Sequence, residues 1–143
     1  MVLIPAFSAS SRVWESCEWV YSLETIGYEG WEIVAEGKYR FDNQENLKNF
    51  KEILASTNLK VTVHAPYSDL NIASMNYPIY RESIRQVNAT IAYASSLSAE
   101  KVTFHPGYLS PLGKLVPDRV WGAQRSALAE IGKVAVEHGV LAC

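Results

Sequence analysis

The sequence predicts an α/β fold with a parallel sheet, and three observations carry that prediction. Apolar periodicity alternates between short strand-type runs and longer helical stretches, as in successive βα units. Runs such as Val61-Thr62-Val63 and Val102-Thr103-Phe104 are apolar at most positions, which suits a sheet covered by helices. The segment Val61-Thr62-Val63-His64-Ala65-Pro66 is echoed, one βα unit later, by Val102-Thr103-Phe104-His105-Pro106. A complete parallel barrel repeats eight such units over roughly 250 residues. About four to five units fit into 143 residues, so the expectation is half a barrel of the (β/α) TIM-barrel type. A small open doubly wound sheet is the alternative topology.

The elements follow in order. Val2 to Phe7 reads as strand one. Ser10-Ser11 can cap a helix whose inner stripe would be Trp14, Cys17, Val20 or Tyr21, and Leu23, ending near Gly27. Trp31 to Val34 is strand two, and Leu47, Phe50, Ile53 and Leu54 then recur at helical spacing up to Asn58. Lys60 to His64 is strand three. Pro78 suits the first turn of a helix whose apolar positions Tyr80, Ile84, Val87, Ile91 and Ala94 step by four and three. Val102 to His105 is strand four. Pro117-Asp118 opens a last helix lined by Leu128, Ile131, Val134 and Ala135, closed by His138-Gly139, and Val140-Leu141-Ala142 starts strand five.

Composition narrows the function. Apolar residues at 48% against charged residues at 20% describe a chain that folds and exclude disorder. A formal net charge of -2 without a Lys/Arg run argues against strong nonspecific nucleic-acid binding. The apolar opening Val2-Leu3-Ile4 is too short for a signal peptide or a membrane span, so a cytoplasmic protein with no membrane partner is expected. Cys17 and Cys143 offer neither a disulfide framework nor metal-ligand spacing and read as free thiols.

The sharpest chemical feature is a His ending each of two consecutive strands, His64 and His105, each followed by a Pro-containing turn. Strands pairing in register lie about 4.8 Å apart, so two imidazoles at one height could converge on one cation. A single strand-end His more often satisfies a hydrogen bond in its turn, but the pair favours a metal. No glycine-rich phosphate loop, nucleophilic Ser or Cys stands beside them. Glu32 faces either the barrel interior, where it could bind substrate or metal, or water. Asp69 and Asn71 either shape substrate contacts or brace their own turn, the commoner role of Asx residues.

The stretch His64-Ala65-Pro66-Tyr67-Ser68-Asp69-Leu70-Asn71-Ile72-Ala73-Ser74, with Phe104-His105-Pro106-Gly107 and Gly27-Tyr28-Glu29-Gly30-Trp31-Glu32-Ile33, resembles the endonuclease IV-like (AP endonuclease family 2) and xylose isomerase-like barrels. It is most similar to their sugar phosphate isomerase/epimerase-like branch. The resemblance implies that His64 and His105 are metal ligands, with zinc as the expected ion and manganese or magnesium as alternatives. It also implies that Tyr67 touches the substrate, as the matching tyrosine of endonuclease IV touches DNA near the lesion, while Glu32 and Asn71 are substrate-binding candidates by their positions alone. The next implied ligand is a strand-five glutamate, and Gly139-Val140-Leu141-Ala142-Cys143 stops short of it. Residues 1–143 are therefore expected to be the N-terminal portion of a single barrel domain, with metal binding weak or absent.

Two functional readings follow. In the first, the full-length form is a divalent-metal-dependent enzyme acting on a sugar or sugar phosphate, or hydrolysing a phosphodiester at abasic-site DNA. In the second, the chain is an inactive half-barrel that self-associates as a homodimer. Val61, Val63, Val102 and Phe104 belong to strands expected to contribute to its uncovered inner face.

Overall fold

The computed structural model describes residues 5–9 and 16–143. Five strands form one parallel sheet in the order in which they occur: β1 (Ala6–Ala9), β2 (Gly30–Val34), β3 (Lys60–His64), β4 (Lys101–Thr103) and β5 (Leu141–Ala142). A doubly wound sheet reverses its strand order at a switch point, and this sheet does not. With every crossover running the same way, the helices fall on one side, as in a barrel wall.

Three helices cover that side: α1 (Gln44–Ala55), α2 (Tyr77–Ser96) and α3 (Pro117–His138). Asn43 caps α1 through its side-chain oxygen, which accepts from the Glu45 N–H at 2.9 Å. Pro78 and Pro117 sit in the first turns of α2 and α3, where a missing N–H costs nothing. Gly139 ends α3 in the left-handed region at φ 64°, the conformation glycine adopts most easily.

The first helical segment differs from its expectation. Ser10, Ser11 and Trp14 lie outside the described residues, as do Val2, Leu3 and Ile4 of strand one. The described part is a short 3-10 helix over Glu18–Ser22. Val20 and Leu23 turn into the core while Tyr21 is exposed, which decides between Val20 and Tyr21 as the inner position.

The core lies between the sheet and the helices. Trp31, Ile33, Val63 and Val102 are fully buried there against residues such as Phe50, Ile84, Ile91 and Ile131. Trp31 meets Phe50 edge to face at a centroid distance of 5.7 Å. This corrects one expectation: Val61, Val63, Val102 and Phe104 belong to the helix-covered side, with Val61 and Phe104 packed against the core from its margin. Strand alternation then places Ser8, Glu32, Val34, Thr62, His64 and Thr103 together on the opposite side, which is mainly polar. Apolarity along the strands was legible, but only the covering helices reveal which side carries it.

Candidate functional site

His64 is the last residue of β3, as expected, whereas β4 ends at Thr103 and His105 lies just beyond it. The register pairs His64 with Thr103, so the two histidines do not stand at one height. Strands of a barrel are sheared relative to one another, and this stagger corrects the in-register expectation. The side chains meet nonetheless. His64 and His105 have ring centroids 5.0 Å apart in an edge-to-face arrangement.

Tyr67 completes the cluster. Its ring stacks on His105 at 5.0 Å with 27° between planes and touches His64 edge-on at 5.3 Å. Nδ1 of His64 lies 2.8 Å from the Ala65 carbonyl oxygen. A proton on Nδ1 donated to that carbonyl leaves Nε2 with its lone pair free, the arrangement that commonly orients a metal-binding imidazole. The same contact also satisfies the turn, so it serves both readings of this histidine. Glu32 is half-buried on the same side of the sheet, paired in register with Thr62. The geometry thus brings His64, His105 and Tyr67 into contact and sets Glu32 lower on the same wall.

Asn71 occupies a different place. It is buried, and its side chain is engaged with backbone: Nδ2 donates to the Tyr108 carbonyl at 3.0 Å, and Oδ1 accepts from the N–H groups of Tyr108 and Ala73. Its own N–H donates to Ser83 Oγ at 2.8 Å. Asn71 therefore joins the loop that follows His64 to the loop that follows His105. Gln124, buried in α3, adds a second tie by accepting from the Gly107 N–H at 2.8 Å. A Cβ on Gly107 would stand 2.3 Å from Ala73 Cβ, so the close approach of these loops requires glycine.

Two residues of this assembly were not singled out from sequence: Gln124 and Glu36. Oε1 of Glu36 accepts from the Ser68 N–H at 2.7 Å and from the Tyr67 N–H at 3.4 Å. Both act on backbone groups far away in the chain, and no local pattern announces such contacts.

The donor set for a metal is partial. Two imidazoles suit two positions of a zinc ion, which ordinarily takes three or four protein ligands. Among the described residues no group of three or more His, Cys, Asp or Glu side chains is placed to hold an ion.

With the sequential parallel strands and the strand-end cluster in view, comparison with known proteins decides the family. The model of the xylose isomerase-like TIM barrel matches residues 20–143. The chain belongs to that family. It is 32% identical to the uncharacterised protein MJ1311 of Methanocaldococcus jannaschii over 97% of this chain and 48% of that protein. It therefore spans about half the length of this relative. A solved structure of a D-tagatose 3-epimerase-like protein superimposes with a TM-score of 0.88 at 28% identity, covering 98% of this chain and 51% of that one. The structure of an IOLI protein with a binding zinc atom shares the fold, with a TM-score of 0.76 at 18% identity over 99% of this chain and 50% of that one. Among the described residues no helix is long and apolar enough to cross a membrane.

Proposed function

We propose that this chain forms half of the active-site wall of a divalent-metal-dependent isomerase or epimerase acting on a small sugar or sugar phosphate. The observation that carries this reading is the contact of His64 and His105, their rings 5.0 Å apart at the C-terminal ends of adjacent strands. Functional groups of this architecture gather at that end of the sheet. The polar wall below the imidazoles, with Glu32, Thr62 and Thr103, suits a ligand rich in hydroxyl groups. Similarity to a D-tagatose 3-epimerase-like structure supports the same ligand class.

In this reading His64 and His105 hold the ion through their ring nitrogens, zinc being the first candidate and manganese or magnesium the others. A bound divalent ion would polarise sugar oxygens. The chain's own residues do the rest. The Ala65 carbonyl fixes the His64 ring, Glu32 accepts a sugar hydroxyl, and Tyr67 packs over the imidazoles and limits water.

Phosphodiester hydrolysis at abasic-site DNA is the second reading, favoured by Tyr67, which remains 38% exposed where an unstacked base or sugar could meet it. The net charge of -2 weighs against it.

Zinc and manganese titrations by calorimetry, beside ketohexose interconversion and abasic-duplex binding, test these readings. The 143-residue chain should bind zinc weakly, with a loss in His64→Ala and in His105→Ala. Tight binding that survives both changes would remove the site. A low-salt preference for abasic over intact duplex, abolished by Tyr67→Ala, would favour the DNA reading instead.

A further inference from the structure

We propose that Glu36 is a positioning residue for the imidazole pair: its carboxylate fills the concavity formed by the Tyr67 and Ser68 backbone N–H groups and so holds the Tyr67 ring against His105. Glu36 follows β2, and its backbone carbonyl accepts from the Tyr39 N–H, which anchors the residue on its own loop. From there one carboxylate oxygen crosses to the loop after β3 and receives two successive N–H groups, at 2.7 Å from Ser68 and 3.4 Å from Tyr67. Successive N–H groups turned toward one point make an anion-binding concavity, and here the anion is supplied by the protein itself. The turn continues through Asp69 at φ 60°, a left-handed conformation that a non-glycine residue adopts only where its surroundings impose it.

Magnitudes make the backbone grip comparable with ring packing as an element that fixes Tyr67. Tyr67 is 38% exposed and rests on an exposed histidine. Each aromatic pair of this kind shifts a conformational population by about threefold to tenfold, and Tyr67 makes two, with His105 and with His64. A short hydrogen bond to a charged acceptor, such as that of Ser68 at 2.7 Å, is worth about tenfold or more, and the longer one of Tyr67 at 3.4 Å adds less. Without the carboxylate both N–H groups lose this acceptor, and the ring keeps only its contacts with the two histidines. Glu36 thus couples the β2 loop to the ring that covers both histidines. The coupling stands on geometry alone; its meaning as the wall of a sugar site rests on the function proposed above.

The experiment is nuclear magnetic resonance of the labelled chain, as wild type, Glu36→Ala and Glu36→Gln, without metal or sugar. Proton contacts between the Tyr67 and His105 rings report the ring position, and Ser68 amide exchange reports the grip. In Glu36→Ala the ring contacts should weaken severalfold and Ser68 should exchange about tenfold faster or more. Glu36→Gln keeps a neutral acceptor, so it should restore the ring contacts with intermediate exchange. Ring contacts as strong in Glu36→Ala as in wild type, or a Glu36→Gln variant as disturbed as Glu36→Ala, would overturn the proposal. Should Glu36→Ala fail to fold, Glu36→Gln decides: Ser68 exchange equal to wild type overturns the proposal, and faster exchange with retained ring contacts supports it. Because no metal or sugar enters, a negative result here is separate from failure of the proposed function.

Discussion

Asn71 holds Tyr108 by both backbone polar groups, donating to its carbonyl at 3.0 Å and accepting from its N–H at 3.1 Å. One amide side chain thereby fixes the distance between the loops that present His64 and His105. Asn71→Ala strips partners from three backbone groups, those two and the Ala73 N–H, and leaving such groups unsatisfied costs about 1–3 kcal/mol each when buried. Partial access of water reduces the sum, so a loss of about 2–4 kcal/mol is expected in chemical denaturation.

Tyr39 makes a pH-dependent prediction. Burial pushes its hydroxyl up to about 12, while the group donates to the Ser16 carbonyl at 3.0 Å. A folded-state value above the unfolded one means that stability is fully present below about pH 10 and is lost as pH rises toward about 12. The contribution at stake is about 3 kcal/mol. Tyr39→Phe should cost about 1 kcal/mol near neutrality, where the hydrogen bond is lost, and should fall less steeply than wild type above pH 10. Denaturant midpoints across that range measure it, and parallel curves would refute the assignment. Burial likewise raises the Cys17 thiol, so a thiol reagent near pH 8 should modify exposed Cys143 well before Cys17.

The sequence disclosed local features and concealed distant ones. Lys60–His64 was legible as a strand to the residue, because a short β-branched run between turn residues has few other uses. Pro78, Pro117 and Gly139 marked helix ends for the same reason: their backbone chemistry acts where they stand. The histidine pair was visible as an echo, while its stagger was not, since register is set by the whole sheet. Asn71 carries the general lesson about polar loop residues. Its type allowed both substrate contact and turn bracing, and only the approach of Tyr108 from a different loop shows where its amide is engaged.

The last prediction concerns association of the 143-residue chain. Among the described residues β1 and β5 are the edge strands of the sheet, and an edge strand offers the backbone groups of its outer side for pairing. The inner side was expected to drive self-association through apolar residues, yet it carries Glu32, Thr62, His64 and Thr103, which supply little hydrophobic gain. The apolar drive lies instead on α3. Trp121, Leu128 and Val136 are 60%, 43% and 82% exposed, Leu128 facing outward rather than lining the inner side as its spacing suggests, and they recur at spacings that place them along one stripe of the helix. Leu141 on β5 is 57% exposed beside them in the chain's order. We propose that the chain forms a homodimer that buries this stripe and an edge, a twofold arrangement being the simplest closed one. Light scattering during size exclusion should give twice the chain mass. Trp121→Lys combined with Val136→Lys should shift the population to monomer, whereas Thr62→Lys on the polar wall should not. A monodisperse monomer in the wild type would reject the proposal, and a dimer broken only by Thr62→Lys would return the interface to the inner side of the sheet.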